Sequence, residues 1–277
     1  MDVRFSTDPK SLKTMKTEEL RSLFLMTTLF EADRVPMVYS DIDRSITGSA
    51  VPVEGTLELL ASKKEMAADY FAERREVGVI NIGGSGTITI DGTVHRLAMH
   101  DALYIGRGAR SVVFASEKKD EPAAFYFVSY PAHTAYPTTL ITLADAEHTA
   151  LGSVKDSNKR VINKYIHPRG VKSCQLVMGM TALEEGSVWN TMPVHTHQRR
   201  SEVYMYFDLP SDAVVFHLMG EPDETRHIVV RNRQAVLSPS WSIHSGCATR
   251  NYKFIWAMGG ENQVFEDMDG VAMGAIG

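Results

Sequence analysis

Short segments in which apolar and small residues alternate with polar ones make up most of the chain beyond residue 36 and predict β-strands. The clearest is Glu76–Leu97 (EVGVINIGGSGTITIDGTVHRL), where Asp91-Gly92 predicts a two-residue hairpin turn. Similar segments are AAFYFVSYP, DAVVFHLMG, HIVVRNRQAVLSP and NYKFIWAMGG. Short strands with glycine and proline turns are typical of sandwiches and barrels, so we expect a mostly β protein with a few short helices.

One helix is predicted near the N-terminus, in residues 17–30 (TEELRSLFLMTTLF). The first turn carries two glutamates, which favour a helix N-terminus. The apolar residues near helical spacing are Leu20, Leu23, Phe24, Met26 and Phe30. Pro36 ends the pattern. We expect the apolar face to pack on the body of the protein or on another subunit.

Two pairs of segments resemble each other and indicate an internal repeat. ERREVGVINI (73–82) resembles QRRSEVYMYF (198–207), and DALYIGRG (101–108) resembles QAVLSPSW (234–241). The two offsets are similar, 126 residues between the first pair and 133 between the second. This similarity predicts two related β-units.

A polar segment, Glu147–Lys159 (EHTALGSVKDSNK), is predicted to connect the two units. The division gives an N-terminal half, residues 1–155, and a C-terminal half, residues 156–277. The tail after Phe265 is rich in glycine, and we expect it to be loose or to lie on a neighbouring chain.

The overall composition excludes several classes of protein. The 277 residues are 44% hydrophobic and 23% charged, which is ordinary for a soluble globular chain. A net charge of -5 provides no basic field for nucleic acid or an anionic membrane. No apolar run approaches the roughly 20 residues of a membrane span, and the first residues, MDVRFSTDPK, lack the apolar core of a secretory signal. Cys174 and Cys247 form no CxxC pair, so we expect reduced thiols and a cytoplasmic protein.

Two histidines, His195 and His197, form the strongest candidate for chemistry. On a strand they point to the same face, about 6.5–7 Å apart along the chain, and can converge on one ion. Glu202 is five residues further on, which on a straight strand is the opposite face. Either a turn in residues 198–201 returns Glu202 to the same side, or it faces solvent and pairs with an arginine. His244, which follows the proline of SPSWSIHSG, is a candidate fourth ligand.

The repeat predicts that only the C-terminal half holds a metal. Of the candidate ligands, only Glu202 has a counterpart of the same type in the first half, Glu76. The residues matching the three histidines are Asp69, Phe71 and Ser111. We therefore expect one ion per chain and an N-terminal half without metal ligands. Tyr204 is interpreted as a core residue and His217 as a hydrogen-bonded structural histidine.

The pattern HxHx4E (His195, His197, Glu202) followed by Px4H (Pro239, His244) resembles the two cupin motifs. Longer stretches are similar to the 5-keto-4-deoxyuronate isomerase family: GSVWNTMPVHTHQRRSEVYMYFDLP, FHLMGEPDETRH, PSWSIHSG, NYKFIWAMGGEN and NKYIHP. The second motif departs from the usual cupin pattern, with Trp241 where glycine is common and Ala248 where asparagine is common. These departures leave the candidate ligands intact.

The resemblance implies a bicupin, with two double-stranded β-helix (jelly-roll) barrels, assembled as a homo-hexamer. It also implies one Zn²⁺ per chain at the positions of His195, His197, Glu202 and His244. The implied activity is an intracellular aldose–ketose isomerisation in pectin and uronate degradation, with the metal as Lewis acid. It interconverts 5-dehydro-4-deoxy-D-glucuronate and 3-deoxy-D-glycero-2,5-hexodiulosonate. Two alternatives remain open, an Fe(II)-dependent cupin dioxygenase with the same ligands and a non-catalytic sugar-binding cupin.

A carboxylate substrate on a net-negative chain requires a local cation. The candidates for this contact are Arg199, Arg200, Lys164 and Arg226. A ketol isomerisation also requires a group that moves a proton between adjacent carbons. The candidates for this role are Lys164, Tyr252 and Glu261, and the sequence does not distinguish among them.

Overall fold

The computed structural model describes all 277 residues and consists mainly of short strands. In chain order the strands are β1 (Asp2–Arg4), β2 (Leu25–Met26), β3 (Met37–Ser40), β4 (Ile46–Ala50), β5 (Leu57–Glu58), β6 (Arg75–Asn81), β7 (Gly86–Ile90), β8 (Thr93–Leu97), β9 (Ala102–Ile105), β10 (Val112–Ser116), β11 (Phe125–Pro131), β12 (Thr139–Ile141), β13 (Glu147–Leu151), β14 (Arg160–Ile166), β15 (Val177–Leu183), β16 (Trp189–Asn190), β17 (His195–Thr196), β18 (Arg200–Phe207), β19 (Val215–Glu221), β20 (Glu224–Val230), β21 (Gln234–Ser238), β22 (Ser245–Ala248), β23 (Lys253–Gly260) and β24 (Asp269–Gly270). The expectation of a mostly β chain is confirmed.

The helices are few and short. They are α1 (Pro9–Thr14), α2 (Thr17–Phe24) and α3 (Lys63–Met66), with 3₁₀ turns at Ile42–Arg44, Phe71–Glu73, Leu143–Asp145 and Met273–Ala275. In this chain no helix combines the length and the apolar character that spanning a bilayer requires. Helix α1 was not predicted from the sequence, although the signals for it are local. The Asp8 side chain accepts hydrogen bonds from the backbone N–H groups of Lys10 and Ser11, and Pro9 lies in the first turn.

The predicted helix in residues 17–30 ends at Phe24, six residues early. Leu25 and Met26 instead pair with Val236 and Ala235 as an edge strand of a sheet. Leu20 and Phe24 are buried, and α2 packs on β20 and β21 of the same chain. The sequence pattern stays apolar beyond Phe24 because Leu25 and Met26 are also buried, as strand residues. The pattern alone therefore does not mark the end of the helix.

The chain divides into two compact units with interleaved segments. Unit 1 comprises Met1–Arg4, Thr28–Ala146 and Tyr165–Val177. Unit 2 comprises Phe5–Thr27, Glu147–Lys164 and Met178–Gly277. The sequence predicted two continuous halves, residues 1–155 and 156–277, from the internal repeat. That division stays a prediction.

Unit 1 contains a seven-stranded sheet, β1-β3-β4-β11-β6-β9-β12, and a four-stranded sheet, β5-β10-β7-β8. Both sheets contribute to one apolar core, in which Phe114 of the small sheet stacks on Phe127 of the large one at 6.3 Å between ring centroids. The hairpin predicted at Asp91-Gly92 is confirmed: both residues have positive φ, 48° and 86°, between the paired strands β7 and β8.

Unit 2 repeats the order of the inner strands with its own elements, and the edge strands of its large sheet differ. Its large sheet runs β13-β14-β15-β23-β18-β21-β2, and its small sheet runs β16-β22-β19-β20. The internal repeat is thus confirmed at the level of topology. Matching Glu76 to Glu202 aligns Val77 with Val203, whose ladder partners are Ile105 and Leu237. The offset between Ile105 and Leu237 is 132 residues, one fewer than the 133 expected from the sequence. The strand register determines which residues of the two units correspond, and the similar turn residues do not.

The polar connection and the glycine-rich tail both contain residues that pair as strands. Part of the polar connection forms β13, which pairs with β14 along its whole length. The glycine-rich tail is not loose: Asp269 and Gly270 pair with Thr196 and His195, and the terminal Gly277 donates its N–H to the carbonyl of Pro222. A small two-stranded sheet, β17 with β24, is thereby added to unit 2.

Candidate active site

Four side chains from three parts of unit 2 converge on one point. His195 lies on β17, His197 just after it, Glu202 on β18, and His244 immediately before β22. The Nε2 atom of His195 lies 3.1 Å from that of His197 and 3.0 Å from that of His244. The Oε2 atom of Glu202 lies 3.3 Å from His197 Nε2 and 3.0 Å from His244 Nε2. All four candidate ligand atoms lie within 4.8 Å of one another.

A turn brings Glu202 to the side of the two histidines. β17 ends at Thr196, residues 198 and 199 form a turn, and the N–H of Arg200 donates to the carbonyl of His197 at 3.2 Å. This resolves the alternative left by the sequence, because the chain is not one straight strand between His197 and Glu202.

The geometry of the cluster fits a divalent ion. Ligand atoms bonded at about 2.0–2.1 Å to one central ion lie about 2.9–3.4 Å apart, depending on coordination geometry. The four contacts of 3.0–3.3 Å agree with that spacing. Three imidazole nitrogens and one carboxylate oxygen are ligands suited to zinc, iron and manganese. The structure thus contains a buried site that could hold a metal, and its donors do not identify which.

His197 is held in the tautomer that a metal needs. Its Nδ1 atom lies 2.8 Å from the carbonyl oxygen of Asp267. A carbonyl only accepts, so Nδ1 carries the proton and Nε2 presents its lone pair to the cluster.

The electrostatics favour a neutral His195 and an ionised Glu202, the forms that bind metal. Burial, with the nearby His244 and His197, lowers the pKa of His195 to about 3. Burial opposes ionisation of Glu202, but the adjacent His244 and His197 still hold its pKa below the ordinary range. His217, 0% exposed, is hydrogen-bonded to the hydroxyl of Tyr206 at 2.7 Å, as expected of a structural histidine.

The cluster opens into a cavity of about 450 Å³, and every lining residue belongs to unit 2. This volume lies in the range of small-molecule sites, roughly 300–1,000 Å³. Much of the wall is apolar and includes Ile162, Phe254, Trp256, Met258, Phe265 and Met268. Besides the cluster, the charged or hydrogen-bonding side chains that line it are Arg160, Thr181, Thr191, Tyr204 and Glu266.

Arg199 and Arg200, two predicted substrate contacts, do not line the cavity; they bind the C-terminal segment 262–270. Arg199 forms ion pairs with the carboxylates of Asp267 and Asp269. Arg200 is 1% exposed and donates to the carbonyls of Val264, Phe265 and Asp267, at 2.6, 3.2 and 3.1 Å. The two arginines therefore hold the segment that orients His197.

The other two predicted cations also lie outside the cavity lining. Lys164 pairs with Glu147 at 2.8 Å and lies over the ring of Phe265. Arg226 donates to the carbonyls of Lys13 and Met15, where β20 meets the end of α1. Each of these side chains is already engaged with protein groups.

The remaining candidates for proton transfer are placed similarly. Tyr252 is buried, with its hydroxyl bonded to Asn190 and to the carbonyl of Gly246, and Glu261 is exposed. Neither lines the cavity.

Several polar side chains of the cavity are not among the residues predicted from the sequence, and Arg160 and Tyr204 are two of them. Tyr204 was interpreted as core, and it is 4% exposed, but its hydroxyl lies 2.9 Å from that of Thr191 in the cavity wall. Arg160 was not predicted as a site residue because it directly follows the polar connection, Glu147–Lys159, where a charged residue is expected to be solvent-exposed. The signal available for it was its place immediately before the segment VINKYI, in which Val161, Ile162, Tyr165 and Ile166 are apolar or aromatic.

In unit 1 the counterpart of Glu202 has a different role. Glu76 is fully buried and accepts hydrogen bonds from the Tyr104 hydroxyl and from the backbone N–H groups of Cys174, Gln175 and Leu176, at 2.7–2.9 Å. The carboxylate thus fastens residues 174–176 to strand β6. Of the residues matching the histidines, Phe71 is in the apolar core and Asp69 pairs with Lys63.

Comparison with known proteins identifies the family. A model of the KduI/IolB family matches residues 26–273. The chain belongs to the KduI/IolB family. Among curated relatives, the 4-deoxy-L-threo-5-hexosulose-uronate ketol-isomerase of Lachnoclostridium phytofermentans is 59% identical over 97% of both chains. The enzyme of the same name from Caldicellulosiruptor bescii is 56% identical over 99% of both chains.

A solved structure agrees with the KduI/IolB assignment at the level of the fold. The crystal structure of an IolB-like protein from Salmonella typhimurium LT2 superposes with a TM-score of 0.70, covering 90% of this chain and 96% of that one. Sequence identity is only 13%, so this likeness concerns the fold alone.

Proposed function

We propose that this chain is a ketol-isomerase of uronate degradation that interconverts 5-dehydro-4-deoxy-D-glucuronate and 3-deoxy-D-glycero-2,5-hexodiulosonate. The observation that carries the proposal is the cluster of three histidines and one glutamate at a cavity of small-molecule size. The near-full-length relatives named for this isomerase support the substrate class.

We assign one Zn²⁺ per chain to His195, His197, Glu202 and His244. A divalent ion held there supplies Lewis acidity, which favours negative charge on the oxygens of a carbonyl and its neighbouring hydroxyl. The chain contributes the orientation: the Asp267 carbonyl fixes the tautomer of His197, and the apolar wall limits the access of water.

Tyr204 provides a hydrogen-bond donor in the cavity. Burial raises the pKa of its phenol well above the ordinary value, so the group keeps its proton at neutral pH. The acid–base group must lie within reach of the reacting carbons. Thr191, Tyr204 and Glu266 line the cavity, whereas Lys164, Tyr252 and Glu261 do not.

We further propose a bicupin, with each unit a double-stranded β-helix, because both units have the same paired seven- and four-stranded sheets. The hexameric assembly and the cytoplasmic location are carried over as proposals from the sequence resemblance.

Reconstitution of the metal-free chain under strict anaerobiosis tests the function. We expect zinc alone to restore interconversion of the two ketouronates, because carbonyl polarisation needs charge and geometry but no electron from the metal. Elemental analysis should find one zinc per chain. Activity that requires Fe(II) and air, with oxygen incorporated into the product, would instead support a dioxygenase. Sugar binding without turnover by any metal form would support a non-catalytic cupin.

A further inference from the structure

The cavity contains one Lys or Arg side chain, Arg160. It is the first residue of β14, paired with Leu151 of β13, and its side chain is partly buried. Much of the surrounding wall is apolar, including Ile162 and Phe254. Such surroundings strengthen the attraction between a cation and an anionic ligand, because water competes less.

Arg160 has no carboxylate partner in the protein. Its one hydrogen bond runs from Nη1 to the carbonyl of Asn158, at 2.8 Å. Burial lowers the pKa of its guanidinium, yet arginine stays cationic at neutral pH. By contrast, Arg199 is paired with Asp267 and Asp269. Since a guanidinium carries five N–H donors, Arg160 retains most of its donor capacity for a ligand.

The chemistry of the proposed substrate matches this arrangement. The aldehyde and the hydroxyl that exchange oxidation level lie at one end of a six-carbon chain, and the carboxylate lies at the other. Three members of the cluster, His195, His197 and Glu202, line the same cavity as Arg160. An acid held at both ends would present its reactive end to the cluster and its carboxylate to the guanidinium.

We propose that Arg160 binds the substrate carboxylate through its planar fork and thereby selects uronates over neutral sugars. This inference rests on the proposed function. A neutral sugar would leave the partly buried guanidinium without a charged partner, and loss of such a partner is a strong source of discrimination. Arg160 thus replaces the four cations expected from the sequence as the candidate for this contact.

Steady-state kinetics of the zinc-loaded full chain test the assignment with two substrates, the ketouronate and its methyl ester. We expect Arg160→Met to raise KM for the acid about tenfold to a hundredfold, the range of a hydrogen bond to a charged group. KM for the ester should change little, so the preference for acid over ester should largely disappear. Arg160→Lys, which keeps the charge but loses the fork, should recover part of it.

Arg226→Met is the matched control, since Arg226 also donates to backbone carbonyls in unit 2 but lies outside the cavity lining. It should keep the wild-type acid preference. An unchanged acid-to-ester ratio in Arg160→Met, or an equal loss toward both substrates, would overturn the assignment. If the methionine variant fails to fold, as judged by Tm and zinc content, the lysine variant decides by the same ratio.

Calorimetry with D-glucuronate and its methyl ester separates this inference from the proposed function. Wild-type zinc-loaded protein should bind the acid more tightly than the ester, and Arg160→Met should not. A preserved preference without turnover of the ketouronate would refute the isomerase and leave the carboxylate contact standing. Turnover with no acid preference in either assay would refute the contact and leave the isomerase standing.

Discussion

Replacing Arg200 by methionine should weaken metal binding although Arg200 is not a candidate ligand. The guanidinium is almost fully buried and donates to three carbonyls of segment 262–270, those of Val264, Phe265 and Asp267. The Asp267 carbonyl also accepts the Nδ1 proton of His197. Loss of Arg200 therefore releases the group that orients a candidate metal ligand.

The magnitude follows from these contacts. Each hydrogen bond to a charged group contributes about 1.5–3 kcal/mol. Part of this loss is offset in the variant, because burying a guanidinium costs free energy and the methionine side chain avoids that cost. Leaving a buried carbonyl without its donor costs about 1–3 kcal/mol for each group that water does not reach. We expect much of it to appear as local opening of segment 262–270. Loss of the support behind a metal-ligating histidine lowers metal affinity roughly 10- to 100-fold.

Two measurements report these effects, hydrogen exchange of the amides in segment 262–270 and competition for zinc with a chelator. Arg199→Met is the matched control, because Arg199 is adjacent in sequence and its side chain contacts the same segment through ion pairs with Asp267 and Asp269, not through the Asp267 carbonyl. It should change zinc affinity far less than Arg200→Met. Wild-type exchange protection and wild-type zinc affinity in Arg200→Met would refute the role of Arg200 in orienting His197.

Two further predictions concern the metal and the first unit. His195→Ala, His197→Ala and His244→Ala should each lose most bound zinc, measured by elemental analysis, while circular dichroism stays close to wild type. Full zinc content in any one variant would remove that residue from the ligand set. Glu76→Ala should lower the free energy of unfolding by about 3–5 kcal/mol in urea titration, because buried N–H groups lose their charged acceptor. Bound zinc should be unchanged, and an unaltered unfolding midpoint would contradict the structural role of Glu76.

Local pattern was sufficient for the β class, the Asp91-Gly92 hairpin and the repeat of two β-units. These features depend on side-chain alternation and turn chemistry, which neighbouring residues carry. The four side chains of the cluster could also be named in advance. HxH places two imidazoles near each other, and spacing and a proline turn made Glu202 and His244 candidates. The resemblance to cupin motifs then implied all four as one ligand set.

Strand pairing between distant residues decided what the pattern could not. Leu25 and Met26 continue a helical periodicity, and only pairing with Val236 and Ala235 makes them a strand. The glycine-rich tail has little pattern of its own and is ordered by pairing at His195. Edge pairings of this kind depend on backbone groups and leave little trace in side-chain type.

The roles of the arginines also required the tertiary structure. In the sequence Arg199 and Arg200 adjoin the histidines, and Arg160 is far from them. In the fold the first two bind segment 262–270, while β14 brings Arg160 to the cavity without a carboxylate partner. Residue type determines that an arginine is cationic and can bind a carboxylate. Which carboxylate or carbonyl it meets depends on long-range packing, because the charge alone does not specify a partner.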